Sequence, residues 1–380
     1  MDVTLINLQA RLDELRQLQS AGLQERLVKR FLDICKDYDF ASFEVQSKIF
    51  NQEKDALDII NGFLNSPPNI SPKFQASDFD EVVFKAEKMT KRYGNSPDSF
   101  ALDNCDFSMN KGGITGIVGE NGNGKTTLLR MVAAELAVTN GELSYGRYKE
   151  WEEIKNAVSY IPQRIPRWYG TLLDNMKHYA SLHGVAGKEN DEWVNFYIHR
   201  LGLSKYKHYK WSEISTGYRL RFQLAKIMLK HPRLLVLDEP LANLDVNAKQ
   251  YFLEDLQDLA RSEANPISII LSSQQLHDVE AVSDQIIFLR KGKAEYIGKV
   301  SDIGKDREMN MFEISGQFEL SDLEKLKALH PTIIIDKKGM LYLLHCPLDF
   351  TSKKLLQYFS QNDVALEYFR DISNSTKKYF

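Results

Sequence analysis

The sequence predicts an α/β fold built around a buried parallel sheet. Four short, mostly apolar runs are typical of strands covered on both faces: 114–118, 234–237, 267–271 and 286–289. A glycine-rich loop directly follows the first run, and a helical pattern over 128–136 follows the loop. The order strand, glycine loop, helix is typical of a domain that binds phosphate groups.

Composition narrows the class of protein. The chain has 380 residues, enough for two or three domains, and 43% of them are hydrophobic, enough for a sizeable core. A net charge of −3 does not favour direct binding of nucleic acid. Cys35, Cys105 and Cys346 lack metal-ligand spacing and indicate a reducing compartment. No run of about 18 apolar residues occurs, so action at a membrane requires a partner.

The chain divides into four predicted segments. Leucines at three- and four-residue steps predict a helical N-terminal extension over 1–66, interrupted at Gly22. This segment either packs on the rest of the protein or docks a partner. Prolines predict a linker over 67–80, which makes the extension separable. A nucleotide domain with an inserted helical lobe follows over 81–300. A β-α-β-β-α-β order predicts a small split-βαβ domain over 301–380.

The glycine-rich loop is the main candidate for phosphate binding. Its glycines allow the backbone to approach phosphate closely, and its N–H groups with the following helix start form an anion site. Lys125 supplies a positive charge for the outer phosphates, and Thr126 offers a hydroxyl to Mg²⁺. The candidate nucleotide-binding residues here are Gly119, Glu120, Asn121, Gly122, Asn123, Gly124, Lys125, Thr126 and Thr127.

Two acids end the strand at 234–237. The carboxyl ends of buried parallel strands are where ligands bind in open α/β sheets. Asp238 is therefore a candidate for holding Mg²⁺, and Glu239 a candidate for orienting and polarising a water molecule. Asp238-Glu239-Pro240 could also be an ordinary surface turn after a core strand. The glycine loop elsewhere in the chain favours a role for the two acids in nucleotide chemistry.

Three further motifs complete a family pattern. Ser215-Thr216-Gly217-Tyr218 precedes a helix, Gln163 follows a strand at 158–161, and Asp245 follows the acidic pair by a few residues. With the two motifs above, in this order and spacing, residues 82–300 resemble the ATP-binding cassette (ABC) ATPases. The resemblance implies a phosphate-loop NTPase cassette with an inserted helical subdomain, here joined to a helical N-terminal extension and a small α+β C-terminal domain.

The resemblance also implies roles for individual residues. Tyr93 would stack on adenine, although an ordinary strand aromatic is the plain alternative. Gln163 would reach Mg²⁺ and the attacking water. Ser215 and Gly217 would meet the γ-phosphate of ATP held by an opposite subunit, and Asp245 would cross the dimer interface. The cofactors implied are ATP and Mg²⁺, bound between two cassettes in a homodimer or a cassette heterodimer.

Two departures from the family pattern stand out. The family's signature motif is here Ser215-Thr216-Gly217-Tyr218, and Thr216 replaces its first glycine; similar variants occur in exporter-type cassettes. Gln274 stands where the family usually has a histidine, and His277 is not in register to replace it. Glutamine can donate a hydrogen bond to the site but cannot become positively charged. We include Gln274 with Glu239, Lys125 and Gln163 as the predicted catalytic residues.

The last ten residues, 371–380, resemble the tail of ATPase subunits that serve ABC-2-type exporters. This resemblance implies an ATP-hydrolysing subunit at the cytoplasmic face of the membrane, held there by a separate integral-membrane permease. The N-terminal extension has no counterpart in the common subunit. Two alternatives stay open: a soluble ABC ATPase that acts on a nucleoprotein complex, and a slow ATP-gated binding module.

Overall fold

A computed structural model describes residues 8–38, 53–66, 81–94, 100–262, 265–302, 309–318, 320–362 and 364–373. The predicted linker at 67–80 and the end of the tail, 374–380, lie outside these residues. The chain divides into two compact units, Met1–Ile297 and Gly298–Phe380. None of the helices in the described ranges is long and apolar enough to cross a membrane.

The N-terminal segment forms three helices, α1 (Leu8–Ser20), α2 (Gln24–Tyr38) and α3 (Glu53–Asn65). Their leucine and phenylalanine faces are buried, and Phe31 meets Phe63 edge to face with ring centroids 5.1 Å apart. The helical prediction is confirmed over these residues, while the predicted continuation through 40–50 lies outside the described part.

A nine-stranded sheet forms the centre of the first unit. Its order is β4-β1-β2-β9-β8-β3-β7-β6-β5, and β5, β6, β7, β3 and β8 pair in parallel. All residues of β3 and β6 are buried, which is why β6 is entirely aliphatic and β3 carries no polar side chain except Thr115. The predicted parallel sheet is confirmed. The strands are β1 (Val82–Arg92), β2 (Ala101–Asn110), β3 (Ile114–Val118), β4 (Asn140–Ser144), β5 (Val158–Ile161), β6 (Leu234–Leu237), β7 (Ser268–Ser273), β8 (Gln285–Arg290) and β9 (Lys293–Lys299).

Helices cover this sheet, and three of them form the inserted lobe between β5 and β6. Trp168 stacks on Trp211 within the lobe, with ring centroids 4.8 Å apart. The lobe helices are α6 (Leu172–Leu182), α7 (Gly187–Arg200) and α8 (Thr216–Met228); the others are α4 (Lys125–Val132), α5 (Trp151–Ala157), α9 (Val246–Ala260) and α10 (Leu276–Glu280).

The second unit is an antiparallel sheet of order β11-β12-β10-β13 with two helices. Phe312, Leu344, Leu355 and Phe359 belong to its hydrophobic core. The order of elements is the predicted β-α-β-β-α-β. They are β10 (Met309–Gln317), α11 (Leu320–Leu329), β11 (Ile334–Lys338), β12 (Leu341–Pro347), α12 (Ser352–Gln361) and β13 (Ala365–Asp371).

The packing of α1–α3 corrects the expectation that the extension is separable. Leu15, Phe31 and Ile60 belong to the same hydrophobic core as Ile198 and Leu256 of the cassette, and one compact unit contains both parts. A proline-rich stretch predicts a break in helix but does not report side-chain burial on either side of it. The boundaries at residues 66, 80 and 300 stay predictions.

Candidate nucleotide site

The phosphate loop joins β3 to α4. Gly122 and Gly124 take φ values of 82° and 101°, which favour glycine. A Cβ on Gly124 would also lie 2.8 Å from Cζ of the Phe100 ring, so a side chain does not fit there. Because α4 begins at Lys125, its unpaired N–H groups lie beside the loop and form an anion site.

Lys125 is almost fully buried, at 5% exposure. Its ammonium donates to the carbonyl oxygens of Gly119 at 2.7 Å and Glu120 at 3.1 Å. Lys125 Nζ also lies 3.0 Å from Glu239 Oε1, so the loop lysine and the strand-end glutamate form a buried ion pair.

Two glutamine amides converge on the other oxygen of Glu239. Gln163 Nε2 donates to Oε2 at 3.0 Å, and Gln274 Nε2 donates to the same atom at 2.8 Å. Three of the predicted catalytic residues, Lys125, Gln163 and Gln274, therefore contact the carboxylate of the fourth, Glu239. Glu239 has a φ of 45°, an uncommon value for a residue with a side chain.

Asp238 contacts three hydroxyl groups. Thr126 Oγ1 lies 2.7 Å from Asp238 Oδ2, and the Tyr160 hydroxyl lies 3.3 Å from the same oxygen. Ser272 Oγ donates to Oδ1 at 3.0 Å. Burial, and then the charge of Asp238, raise the pKa of Tyr160, so its hydroxyl stays a donor.

Ser272 also accepts a hydrogen bond from the backbone N–H of Glu239 at 2.9 Å. Its single hydroxyl thus joins both acidic residues, at a position with no solvent exposure. Sequence reasoning missed Ser272 and Tyr160. The available signal was their position: each lies at the carboxyl end of a strand that pairs with β6.

The donor set near Asp238 fits magnesium. Mg²⁺ prefers oxygen ligands and uses one or two protein groups together with nucleotide phosphates. Thr126 and Asp238 supply such oxygens, whereas the amide nitrogen of Gln163 is directed to Glu239. Within the described ranges no group of three or more His, Cys, Asp or Glu side chains is arranged to hold a metal ion alone.

Tyr93 lies beside the phosphate loop. Its hydroxyl is 3.3 Å from Thr127 Oγ1, and its ring centroid is 6.3 Å from that of Phe100. The residue is 47% exposed, so the side chain is accessible to a planar ligand. Asn123 links the loop to the residue after β8, because its Oδ1 accepts the backbone N–H of Lys291 at 2.9 Å. Glu120 and Asn121 are exposed.

The signature residues form a second group. Ser215 caps α8, accepting the N–H of Tyr218, and Asp245 caps α9, accepting the N–H of Ala248 at 2.8 Å. A Cβ placed on Gly217 would lie 3.4 Å from the Cβ of Ala248, so the starts of the two helices touch. In the described part of the chain, no hydrogen bond joins this group to the phosphate loop.

Comparisons with known proteins agree with this geometry. The family model described as "ABC transporter" matches residues 102–242. An uncharacterized ABC transporter ATP-binding protein of Methanocaldococcus jannaschii is 31% identical over 220 residues, which are 58% of this chain and 78% of the relative. The bacitracin transport ATP-binding protein BcrA of Enterococcus faecalis is 27% identical over 311 residues, 79% of this chain and 96% of the relative.

The fold is similar to that of a solved dimeric ATP-binding cassette in a post-hydrolysis state with ADP and Pi. The TM-score is 0.50 at 18% identity, over 57% of this chain and 98% of the other. The phosphate loop, the acidic strand end and the match to the Methanocaldococcus relative lead to one conclusion: the chain belongs to the ABC transporter ATP-binding family and is an ABC-type ATPase.

Proposed function

We propose that this chain is the ATP-hydrolysing subunit of an exporter, that it works as a dimer of cassettes, and that it drives a separate integral-membrane permease from the cytoplasmic face. The observation that carries the proposal is the convergence of Lys125, Gln163 and Gln274 on Glu239, one residue from the Thr126–Asp238 contact.

The residues divide the chemistry between them. The loop N–H groups and Lys125 bind the phosphates of ATP. Thr126 and Asp238 would hold Mg²⁺, which when bound neutralises charge on the phosphate oxygens. Glu239 orients a water molecule toward the γ-phosphorus, and the bond between that phosphorus and the ADP oxygen breaks as the new one forms. Gln163 and Gln274 fix the Glu239 carboxylate for this task.

A second cassette completes the site in this proposal. Ser215 is exposed and Gly217 is half-buried at the start of α8, and the Ser215 hydroxyl bonds only to the N–H of Tyr218 in the described part of the chain. This supports their action on ATP held by another chain, in a homodimer or a cassette heterodimer. The similarity to a cassette that was solved as a dimer supports the same arrangement.

A transport role is supported by the extent of the alignment with one relative. The alignment with the bacitracin transport protein spans 311 residues, more than the predicted cassette, and covers almost all of that relative. The direction, export, is supported by the resemblance of residues 371–380 to the tails of exporter subunits. No observation favours the nucleoprotein alternative.

The dimer is tested with the full-length chain, with Mg²⁺ and ATP, by light scattering after size exclusion. Glu239→Gln keeps the loop and stops hydrolysis, so it is expected to accumulate as an ATP-dependent dimer. Lys125→Ala is expected to stay monomeric, and the exposed Glu189→Gln serves as a matched control that behaves like wild type. Hydrolysis by Glu239→Gln at the wild-type rate would remove Glu239 from its assigned role.

The permease is tested by affinity purification of the tagged chain from membranes of its native cell. Copurification of an integral-membrane protein that raises the ATPase rate supports the proposal. Recovery instead of nucleic acid that persists in high salt overturns it in favour of a nucleoprotein ATPase, because phosphate-driven contacts weaken with salt.

A further inference from the structure

The N-terminal helix α2 and the signature helix α8 share two side chains of α9. The Tyr251 ring contacts both Arg26 of α2 and Arg221 of α8, with guanidinium carbons 5.5 and 5.7 Å from its centroid. One turn further along α9, Asp255 forms ion pairs with Lys29 of α2 and, at 3.4 Å, with Arg221. The extension is therefore connected to the signature helix through two side chains of α9, Tyr251 and Asp255.

The shared carboxylate belongs to a buried network. Asp255 and Arg200 are each 2% exposed, and Arg200 lies 3.7 Å from Asp255 and 2.8 Å from Asp33 of α2. Lys29 also pairs with Asp258 at 2.9 Å. Burial alone would lower the pKa of Arg200, but Asp33 and Asp255 reverse the effect and raise it. Charges this deeply buried are stable only while their partners stay in place.

The network lies close to the signature residues along α8. Arg221 follows Ser215 by six residues, less than two helical turns. At the start of the same helix, Gly217 packs against Ala248 of α9. Two contacts with α9, one at the helix start and one in the second turn, thus help to hold the N-terminal half of α8 in place.

We infer that Lys29 and Arg26 are positioning residues for the signature motif. They hold Asp255 and Tyr251 in the arrangement that receives Arg221, and so they fix where Ser215 and Gly217 are presented to a second cassette. Among the described residues, the contacts of both side chains are with α9 and not with the phosphate loop. This inference rests on the proposed dimeric site, and it assigns the N-terminal extension a part in hydrolysis.

The contact distances identify Lys29 as the nearest of the three cations that pair with Asp255. Its ammonium is in hydrogen-bond contact with Asp255, whereas the Arg200 and Arg221 contacts with that carboxylate, at 3.7 and 3.4 Å, are looser. Without Lys29, the Asp255 carboxylate draws these two arginines closer. Arg221 then leaves its position over Tyr251, and the start of α8 shifts with it.

The test uses the full-length chain and separates nucleotide binding from turnover. Lys29→Met is expected to keep the Kd for a fluorescent ATP analogue within about twofold, while kcat falls at least about tenfold. Lys29→Arg retains the charge and is expected to restore most of kcat. Lys188→Met removes an exposed lysine of α7 and is expected to match wild type. Unchanged kcat in Lys29→Met overturns the inference, and so does a parallel loss of nucleotide binding and turnover.

A second variant keeps the test valid if Lys29→Met does not fold. Arg26 is half-exposed, so Arg26→Gln is expected to fold and to lower kcat more than it changes the Kd. Each variant is then combined with Glu239→Gln, and ATP-dependent dimers are measured. If Glu239→Gln alone stays monomeric, the proposed function fails and this inference with it. If Glu239→Gln dimerises equally well with and without Lys29, only this inference fails.

Discussion

The side-chain amide of Gln274 donates a hydrogen bond to Glu239, with 2.8 Å between Nε2 and Oε2. The ABC ATPases that this chain resembles usually have a histidine at this position. The amide holds the carboxylate without adding charge, whereas a protonated imidazole would add it. Charge-assisted hydrogen bonds are about twice as strong as neutral ones. The substitution therefore keeps the geometry and lowers the electrostatic contribution.

We expect Gln274→His to accelerate single-turnover hydrolysis at saturating ATP. A gain of about 1.4 kcal/mol in transition-state stabilisation corresponds to roughly tenfold. The gain is expected to shrink as pH rises through the ordinary histidine pKa of about 6.5, because the added charge is lost. Gln275→His is the matched control, since Gln275 contacts Lys249 instead of Glu239. An unchanged or slower rate in Gln274→His contradicts this prediction.

Removing the Ser272 hydroxyl is expected to affect both acidic residues at once. Ser272→Ala leaves Asp238 Oδ1 and the Glu239 N–H without this buried partner, at a cost of about 1–3 kcal/mol of unfolding free energy. We expect kcat to fall as well, because the Glu239 backbone is released. Chemical denaturation and steady-state kinetics measure the two effects. Ser273→Ala is the control, and equal behaviour of the two variants would refute the prediction.

Tyr93 tests adenine recognition separately from phosphate binding. Tyr93→Ala is expected to weaken ATP binding by about 1–3 kcal/mol, the usual contribution of one base stacked on an aromatic ring. Tyr93→Phe keeps the ring and loses only the contact with Thr127, so its Kd is expected to stay near the wild-type value. Calorimetry distinguishes these outcomes. Equal affinities of the Ala and wild-type proteins would show that the ring does not stack on the base.

Loss of the Asp33 carboxylate is expected to destabilise the whole first unit. Asp33→Asn leaves the buried Arg200 guanidinium short of one partner, and breaking a buried pair costs about 3–5 kcal/mol. The exposed Asp13→Asn, which breaks only the surface pair with Arg16, is expected to cost less than about 1 kcal/mol.

Deleting residues 1–65 is expected to give insoluble protein, because α1–α3 share a hydrophobic core with the cassette. This expectation is contrary to the separable extension that the prolines predict. A soluble, ATP-binding product would show that the packing of α1–α3 is dispensable.

Two partly buried histidines predict a loss of stability in mild acid. Burial, and then nearby lysines, lower the pKa of His199 and of His231 to about 4, whereas the unfolded chain protonates near 6.5. The unfolded state therefore binds more protons between pH 6.5 and 4, and the free energy of unfolding falls as pH falls through this window. His231→Asn tolerates the local φ of 51° and is expected to give a shallower decline than wild type. The exposed His178→Asn is the control, and an equal slope in His231→Asn would contradict the prediction.

Local sequence patterns predicted most of the fold because the relevant signals lie within short windows. The apolar run of β3, the glycines after it and the acids after β6 each indicate their own structure. The contact between Asp33 and Arg200 has no such signal, since 167 residues separate them in sequence. Leucine spacing in α1 and α2 predicted a buried face but not the surface that covers it. Ser272 follows the predicted strand 267–271 and has no local signal of its own, because only the pairing of β6 with β7 brings it beside Asp238.

The ion pair between Asp33 and Arg200 also constrains how this chain can evolve. A change at position 33 is harmful while position 200 carries a buried charge, because Arg200 then loses its 2.8 Å partner. A change at position 200 in turn removes a partner from both Asp33 and Asp255. A functional chimera that carries this extension on another cassette would have to transfer Arg200 and Asp255 along with it. The extension and the cassette are then inherited as one unit, whatever linker joins them.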